Sequence, residues 1–190
     1  MAEPAQRRAE TRQKILTAAG QLFREHGIDG VGVDAVMKQA GLTHGGFYLH
    51  FASKEALAAE VAQTLLERAA EQWQALSQTG DRAAALEAIV TRYLDPDRVA
   101  SGQCCPLTTL GSDVARRGAS REAAGGALRG MLEALGQCLP GRKRQRALTA
   151  LSTMVGAVVL ARLADDAALS AEFLKAAADS VLPARPSKIV

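Results

Sequence analysis

Between Pro4 and Pro96 the chain contains no proline. A proline inside a helix removes a hydrogen bond and clashes with the turn before it, so this long interval is open to uninterrupted helices. Alanine and leucine dominate the 190 residues, and one Trp, two Tyr and four Phe are the only aromatic side chains. That balance favours helix over strand. The later prolines, Pro96, Pro106, Pro140 and Pro183, coincide with breaks in apolar periodicity. The expectation is an all-α chain of about nine helices, at 11–26, 33–40, 43–50, 53–78, 84–94, 106–117, 120–139, 142–164 and 170–182, with 95–102 as loop and residues 1–10 as a loose arm. A β-sandwich, a disordered chain and a disulfide scaffold are all excluded.

The remaining composition narrows the function classes. Net charge is +3, too mild to name a partner. The cysteines are Cys104, Cys105 and Cys138, an odd number that suits reduced thiols in the cytoplasm. The opening residues MAEPAQRRAETRQK lack an apolar core, so no export signal is expected. The longest strongly apolar stretch, Met154 to Ala161, falls short of the ~20 residues that span a bilayer, so no membrane partner is expected. His26, His44 and His50 all lie in the first 50 residues, leaving the rest without an imidazole base or ligand. Walker A, H-E-x-x-H, G-x-S-x-G and dinucleotide fingerprints are all missing. The chain therefore reads as a non-enzyme with no cofactor and no metal site.

The informative stretch runs from Val31 to Phe51. Two short helices are joined by Ala40-Gly41-Leu42-Thr43, and a glycine at so tight a turn suits a positive φ. Val33, Val36, Met37, Ala40, Leu42, Phe47 and Phe51 would face a core, leaving Thr43, His44, Gly46, Tyr48 and His50 outward. Gly45 and Gly46 each cost the second helix about 1 kcal/mol relative to alanine, a cost easier to accept where backbone must approach a ligand closely. Hydroxyl and imidazole donors on the outer face suit phosphate.

These residues carry a resemblance. Residues 11–60 are similar, without a gap, to the DNA-binding domain of the TetR family of bacterial transcriptional regulators. The shared pattern is Phe23-x-x-x-Gly27, then Tyr48, Phe51, Ser53, Lys54, Glu55 and Leu57. The resemblance implies a three-helix helix-turn-helix DNA-binding domain over 1–53 and an effector-binding and dimerisation domain over 54–190. It implies a double-stranded operator as partner, contacted by Thr43, His44, Gly45, Gly46, Tyr48, His50, Lys54 and Arg12, with Arg7, Arg8 and Arg12 reaching either neighbouring phosphates or the minor groove. Thr43 is either a cap alone or a cap that also touches phosphate. Gly32 stands where a threonine commonly caps the second helix, and His44 and Gly46 replace a more usual Lys or Arg and a Thr. Over residues 1–60, seven Lys or Arg face seven Asp or Glu, so any basic footprint arises from placement rather than sum.

For the remainder the resemblance implies a homodimer built on the last two helices, with Leu148, Leu151, Val155, Val158, Val159, Phe173, Ala177 and Val181 as candidate interface. It also implies a pocket for a small-molecule effector, for which Trp73, Tyr93, Cys105, Leu107, Leu110, Met131, Leu135 and Met154 are candidate lining. The segment from Cys105 to Val114 resembles a branch of the family in which a cysteine senses electrophiles, and Cys105 aligns with that cysteine. The implied function is a homodimeric repressor released by a small molecule; the alternatives are a thiol-based sensor using Cys105 and a helical small-molecule binder that does not touch DNA.

Overall fold

The computed structural model describes residues 4–141 and 143–183. Its elements, in order, are α1 (Pro4–His26), α2 (Val33–Gln39), a 3-10 helix η1 (His44–Leu49), α3 (Lys54–Ser77), α4 (Arg82–Tyr93), α5 (Pro96–Ala100), α6 (Pro106–Arg116), α7 (Gly118–Cys138), α8 (Lys143–Leu163) and α9 (Ala167–Val181). Among the described residues there is no strand. The all-α expectation holds, but three elements differ from the sequence reading.

The first helix starts at Pro4 and absorbs the expected arm. Nothing between Pro4 and His26 breaks a helix, and a proline is tolerated in the first turn. Thr11, expected as the cap, lies inside the helix and donates its hydroxyl back to the Arg7 carbonyl at 2.9 Å. The expected loop after Asp95 contains a short helix instead. The Asp95 carboxylate accepts the amides of Asp97 and Arg98 at 2.9 and 3.2 Å, and Pro96 occupies the first turn. Finally, the third helix is a 3-10 turn rather than an α-helix, and Thr43 occupies its N-cap position without a side-chain capping bond.

The chain divides into two compact units. One runs to Arg68 and takes in Thr109–Gly126, and the other comprises Ala69–Thr108 and the chain from Ala127 onward. The cuts therefore fall within α3, α6 and α7. In the first unit the core is Ile15, Ala19 and Phe23 from α1, Val36 and Met37 from α2, Phe47 from η1, and Leu57 and Val61 from α3. Each large side chain buried there contributes about 1.5–3 kcal/mol.

In the second unit α8 and α9 form a tight helical hairpin, with Asp166 capping α9 through the Leu169 amide at 2.8 Å. The buried stripe of α8 is Ala147, Ala150, Leu151, Met154, Ala157, Val158 and Ala161. With 21 residues and a mean hydropathy of 1.4 in its most apolar window, α8 is long and apolar enough to span a bilayer by composition. Its packing on α9 accounts for part of that apolarity. Of the residues expected at a dimer interface, Leu151, Val158 and Ala177 are buried within this chain. Val155, Phe173 and Val181 are half-buried, and Leu148 and Val159 are exposed. Leu160 and Leu163 join these two as exposed apolar side chains of α8, at 45% and 75% exposure.

Candidate nucleic-acid interface

The turn between α2 and η1 closes by backbone geometry. Gly41 adopts φ +71°, the left-handed conformation. Its amide bonds the Lys38 carbonyl at 3.1 Å, and the Leu42 amide bonds the Met37 carbonyl at 2.9 Å. This pair of bonds satisfies the last carbonyls of α2 and reverses the chain in three residues. The start of α3 is equally well made, since Ser53 Oγ accepts the Ala56 amide at 3.1 Å and Glu55 sits in the first turn.

Phe47 anchors η1 from below. It is fully buried, stacks on Phe51 at 5.8 Å and meets the Tyr48 ring edge-on at 5.2 Å. The outer face then follows by spacing. Thr43, His44 and Gly45 are exposed, Tyr48 is 65% exposed, and Gly46, His50 and Lys54 are half-buried. Leu49, unmarked in the sequence reading, is 68% exposed beside Tyr48. Neither Gly45 nor Gly46 has a positive φ. A Cβ at Gly45 would meet open space, and one at Gly46 only Met37 Cε at 3.7 Å, an ordinary contact. Nothing inside the first unit therefore demands these two glycines.

Two expected contacts, Arg12 and His44, carry internal partners. Arg12 grips Glu60 through both guanidinium arms and lies 4.6 Å over the Phe51 ring, so its charge is already matched. His44 Nδ1 bonds the Asp34 carboxylate. His50 has its Nδ1 buried without a hydrogen-bond partner among the described residues. Burial first, and then the nearby charges of Arg8 and Arg12, hold the His50 imidazole below its ordinary pKa, which favours the neutral ring. Arg8 donates to the Leu49 carbonyl at 2.8 Å, closing α1 onto the end of η1. Arg7, Arg8, Thr11, Leu49 and His50 line a cavity of about 320 Å³ there.

A second set of partners comes from far along the sequence. Asp113 of α6, a buried carboxylate, accepts the Ile28 amide at 3.0 Å and pairs with Arg116. Arg117 pairs with Asp29 and, at 3.1 Å, with Glu55. Three of the seven acidic residues in that sequence sum are thus paired with arginine: Asp29 and Glu55 with Arg117, and Glu60 with Arg12. Lys54 and Arg7 enter no such ion pair among those described, so positive charge stays on the outer face.

The candidate effector residues lie elsewhere. Trp73 meets Tyr93 edge-on at 5.5 Å, and the Tyr93 hydroxyl, beside Cys105 and Cys104, ionises well above the ordinary phenol range, chiefly through burial. Met131, Leu135 and Met154 are fully buried core, and Leu107 is half-buried. Leu110 is fully buried in the first unit, not the second. A groove of about 800 Å³ in the second unit is lined by other residues, among them Leu86, Leu139, Arg146 and Val181.

Two short helical elements turned on a left-handed glycine, with hydroxyl, imidazole and ammonium groups outward, have the geometry of a helix-turn-helix. Residues 15–61 match the model of bacterial regulatory proteins of the tetR family. Over these residues, about a quarter of its length, the chain is similar to that family. It is 40% identical over 60 residues to YvdT, an HTH-type transcriptional regulator of Bacillus subtilis (strain 168). That match covers 32% of this chain and 31% of YvdT. Two solved structures are similar in fold over 93% of this chain and the whole of theirs. They are E. coli NemR in its reduced form, with a TM-score of 0.78 and 23% identity, and a TetR-family regulator from Agrobacterium tumefaciens, at 0.77 and 18%.

Proposed function

We propose that this chain is a homodimeric repressor that binds a two-fold operator and releases it when a small-molecule effector binds. The observation that carries the DNA reading is the face of η1. Thr43, His44 and Tyr48 point outward, and Gly45-Gly46 spends helix stability with no return inside the unit. A backbone kept bare at that point suits close approach to a base edge. Tyr48 hydroxyl and Lys54 ammonium supply phosphate contacts, and the neutral His50 supplies a further one. Residues 1–53 read DNA in this proposal, and 54–190 bind effector and dimerise. The exposed Leu148, Val159, Leu160 and Leu163 on α8 offer the second copy an apolar face. A dimer sets two reading heads about 34–36 Å apart, one helical turn of DNA.

The test is a gel shift on the DNA flanking the chain's own gene, with mass in solution measured in parallel. The wild type is expected to shift that DNA as a dimer. Tyr48→Ala combined with Lys54→Ala is expected to lower affinity at least 100-fold, about 3 kcal/mol for two charge-assisted contacts per head, with dimer mass unchanged. Wild-type affinity in the double variant would remove both residues from the interface. A monomeric mass would remove the two-fold operator.

A second reading, release by thiol modification, is favoured by the position of Cys105. Cys105 is half-buried at the head of α6 beside the Tyr93 hydroxyl, whereas Cys104 and Cys138 are buried and burial pushes the Cys138 thiol up. If this reading holds, an alkylating quinone releases DNA from the wild type and fails to release it from Cys105→Ser. Equal release from both would leave only the non-covalent effector.

A further inference from the structure

The pairing of His44 with Asp34 has a chemical consequence that depends on which ring nitrogen is used. Asp34 sits in the first turn of α2, and His44 opens η1. The contact is through Nδ1. A carboxylate can only accept, so Nδ1 must carry the hydrogen. In the neutral ring Nε2 is then a bare acceptor. The Tyr48 ring stands edge-on to His44 at 6.4 Å and 69°. Lys38 is the other charged residue of α2, and η1 carries none besides His44. The His44 side chain is 54% exposed.

We propose that Asp34 is a positioning residue that sets the hydrogen-bonding polarity with which His44 meets a base. The inference rests on the DNA-reading proposal above. An acceptor at the major-groove edge takes an amino hydrogen from adenine N6 or cytosine N4, and it cannot bond guanine N7 and O6 or thymine O4. Each half-site therefore carries adenine or cytosine opposite His44. Asp34 is 85% exposed, and a carboxylate on a DNA-facing surface repels phosphates. Its presence weakens binding to all sequences while sharpening the choice among them.

Two measurements on the full-length protein test this. The first needs no DNA: nitrogen NMR of the imidazoles at about pH 8, where a free imidazole is neutral. The wild type is expected to hold His44 as the Nδ1–H tautomer, and Asp34→Ala to shift it to predominantly Nε2–H. The chain has three histidines, so His26→Gln and His50→Gln assign the signals. The second is selection from a random duplex library. The wild type is expected to enrich adenine or cytosine about fivefold at one position per half-site, the worth of roughly one neutral hydrogen bond. Asp34→Ala is expected to fall below twofold there with equal or tighter binding to unselected DNA. A structural role alone would weaken binding to every sequence. An Nε2–H tautomer in the wild type, or a preference that survives Asp34→Ala, overturns the proposal. A wild type that enriches no sequence overturns the DNA reading and the base assignment with it, while the nitrogen spectrum still decides the pairing.

Discussion

Replacing Phe47 with alanine is expected to lower the unfolding free energy by about 3–5 kcal/mol. The ring is fully buried, stacked on Phe51 and edge-on to Tyr48. Its removal forfeits the transfer energy of the side chain and leaves a cavity that Met37 and Phe51 fill only in part. The cost is concentrated because η1 has little else. It has six residues, two of them Gly45 and Gly46, and its N-cap makes no side-chain bond. A total stability of about 5–15 kcal/mol leaves little margin for such a loss. Urea unfolding followed by circular dichroism measures it directly. Phe47→Leu is expected to recover more than half of the loss, since it refills most of the volume. A loss below about 1 kcal/mol for Phe47→Ala would show that η1 is held by something other than this ring.

Asp113→Ala is expected to cost about 2–3 kcal/mol, chiefly by orphaning the Ile28 amide. Gly27, at φ +73°, ends α1 in the left-handed region, and the next amide turns to Asp113 across 85 residues of sequence. Arg116 also loses one of its two carboxylate partners, but it keeps Asp29 at 3.9 Å and is 60% exposed, so the charge contributes little to the loss. Asp113→Asn keeps a carbonyl oxygen for Ile28 and is expected to cost about 1 kcal/mol. Hydrogen exchange at the Ile28 amide separates the two, fast in Asp113→Ala and slowed in Asp113→Asn. Equal losses in both variants would mean that the charge, not the capped amide, is what counts.

Much of the reading head was legible because its determinants are local. Gly27 and Gly41 mark the two turns and both adopt positive φ. Ser53 caps α3, and the apolar spacing of Val36, Met37, Phe47 and Phe51 predicts which side is buried. Local cues with two meanings misled. Asp95-Pro96 reads as a stop because residues before proline avoid the helix, yet the same pair is a cap and first turn, which is what α5 uses. The extension of α1 to Pro4 has no marker beyond the absence of a breaker. Partnerships across long separations left no trace at all. Arg12 carries the same charge whether it faces Glu60 or a phosphate, and nothing near Asp113 in sequence announces Ile28. The candidate effector residues are ambiguous in the same way: Met131, Leu135 and Met154 have the spacing of a pocket and of a core alike, and all three are fully buried.

The contacts of Asp113 and Arg117 bear on what can be cut and moved. The segment up to Arg68 resembles a self-contained cassette, but its α1 cap and the counter-charges of Asp29 and Glu55 arrive from Thr109–Gly126. A chimera that grafts only the first helices onto another regulator body would present bare carboxylates beside the nucleic acid and an unsatisfied amide at the end of α1. In this chain the reading head is not portable unless the α6–α7 corner travels with it.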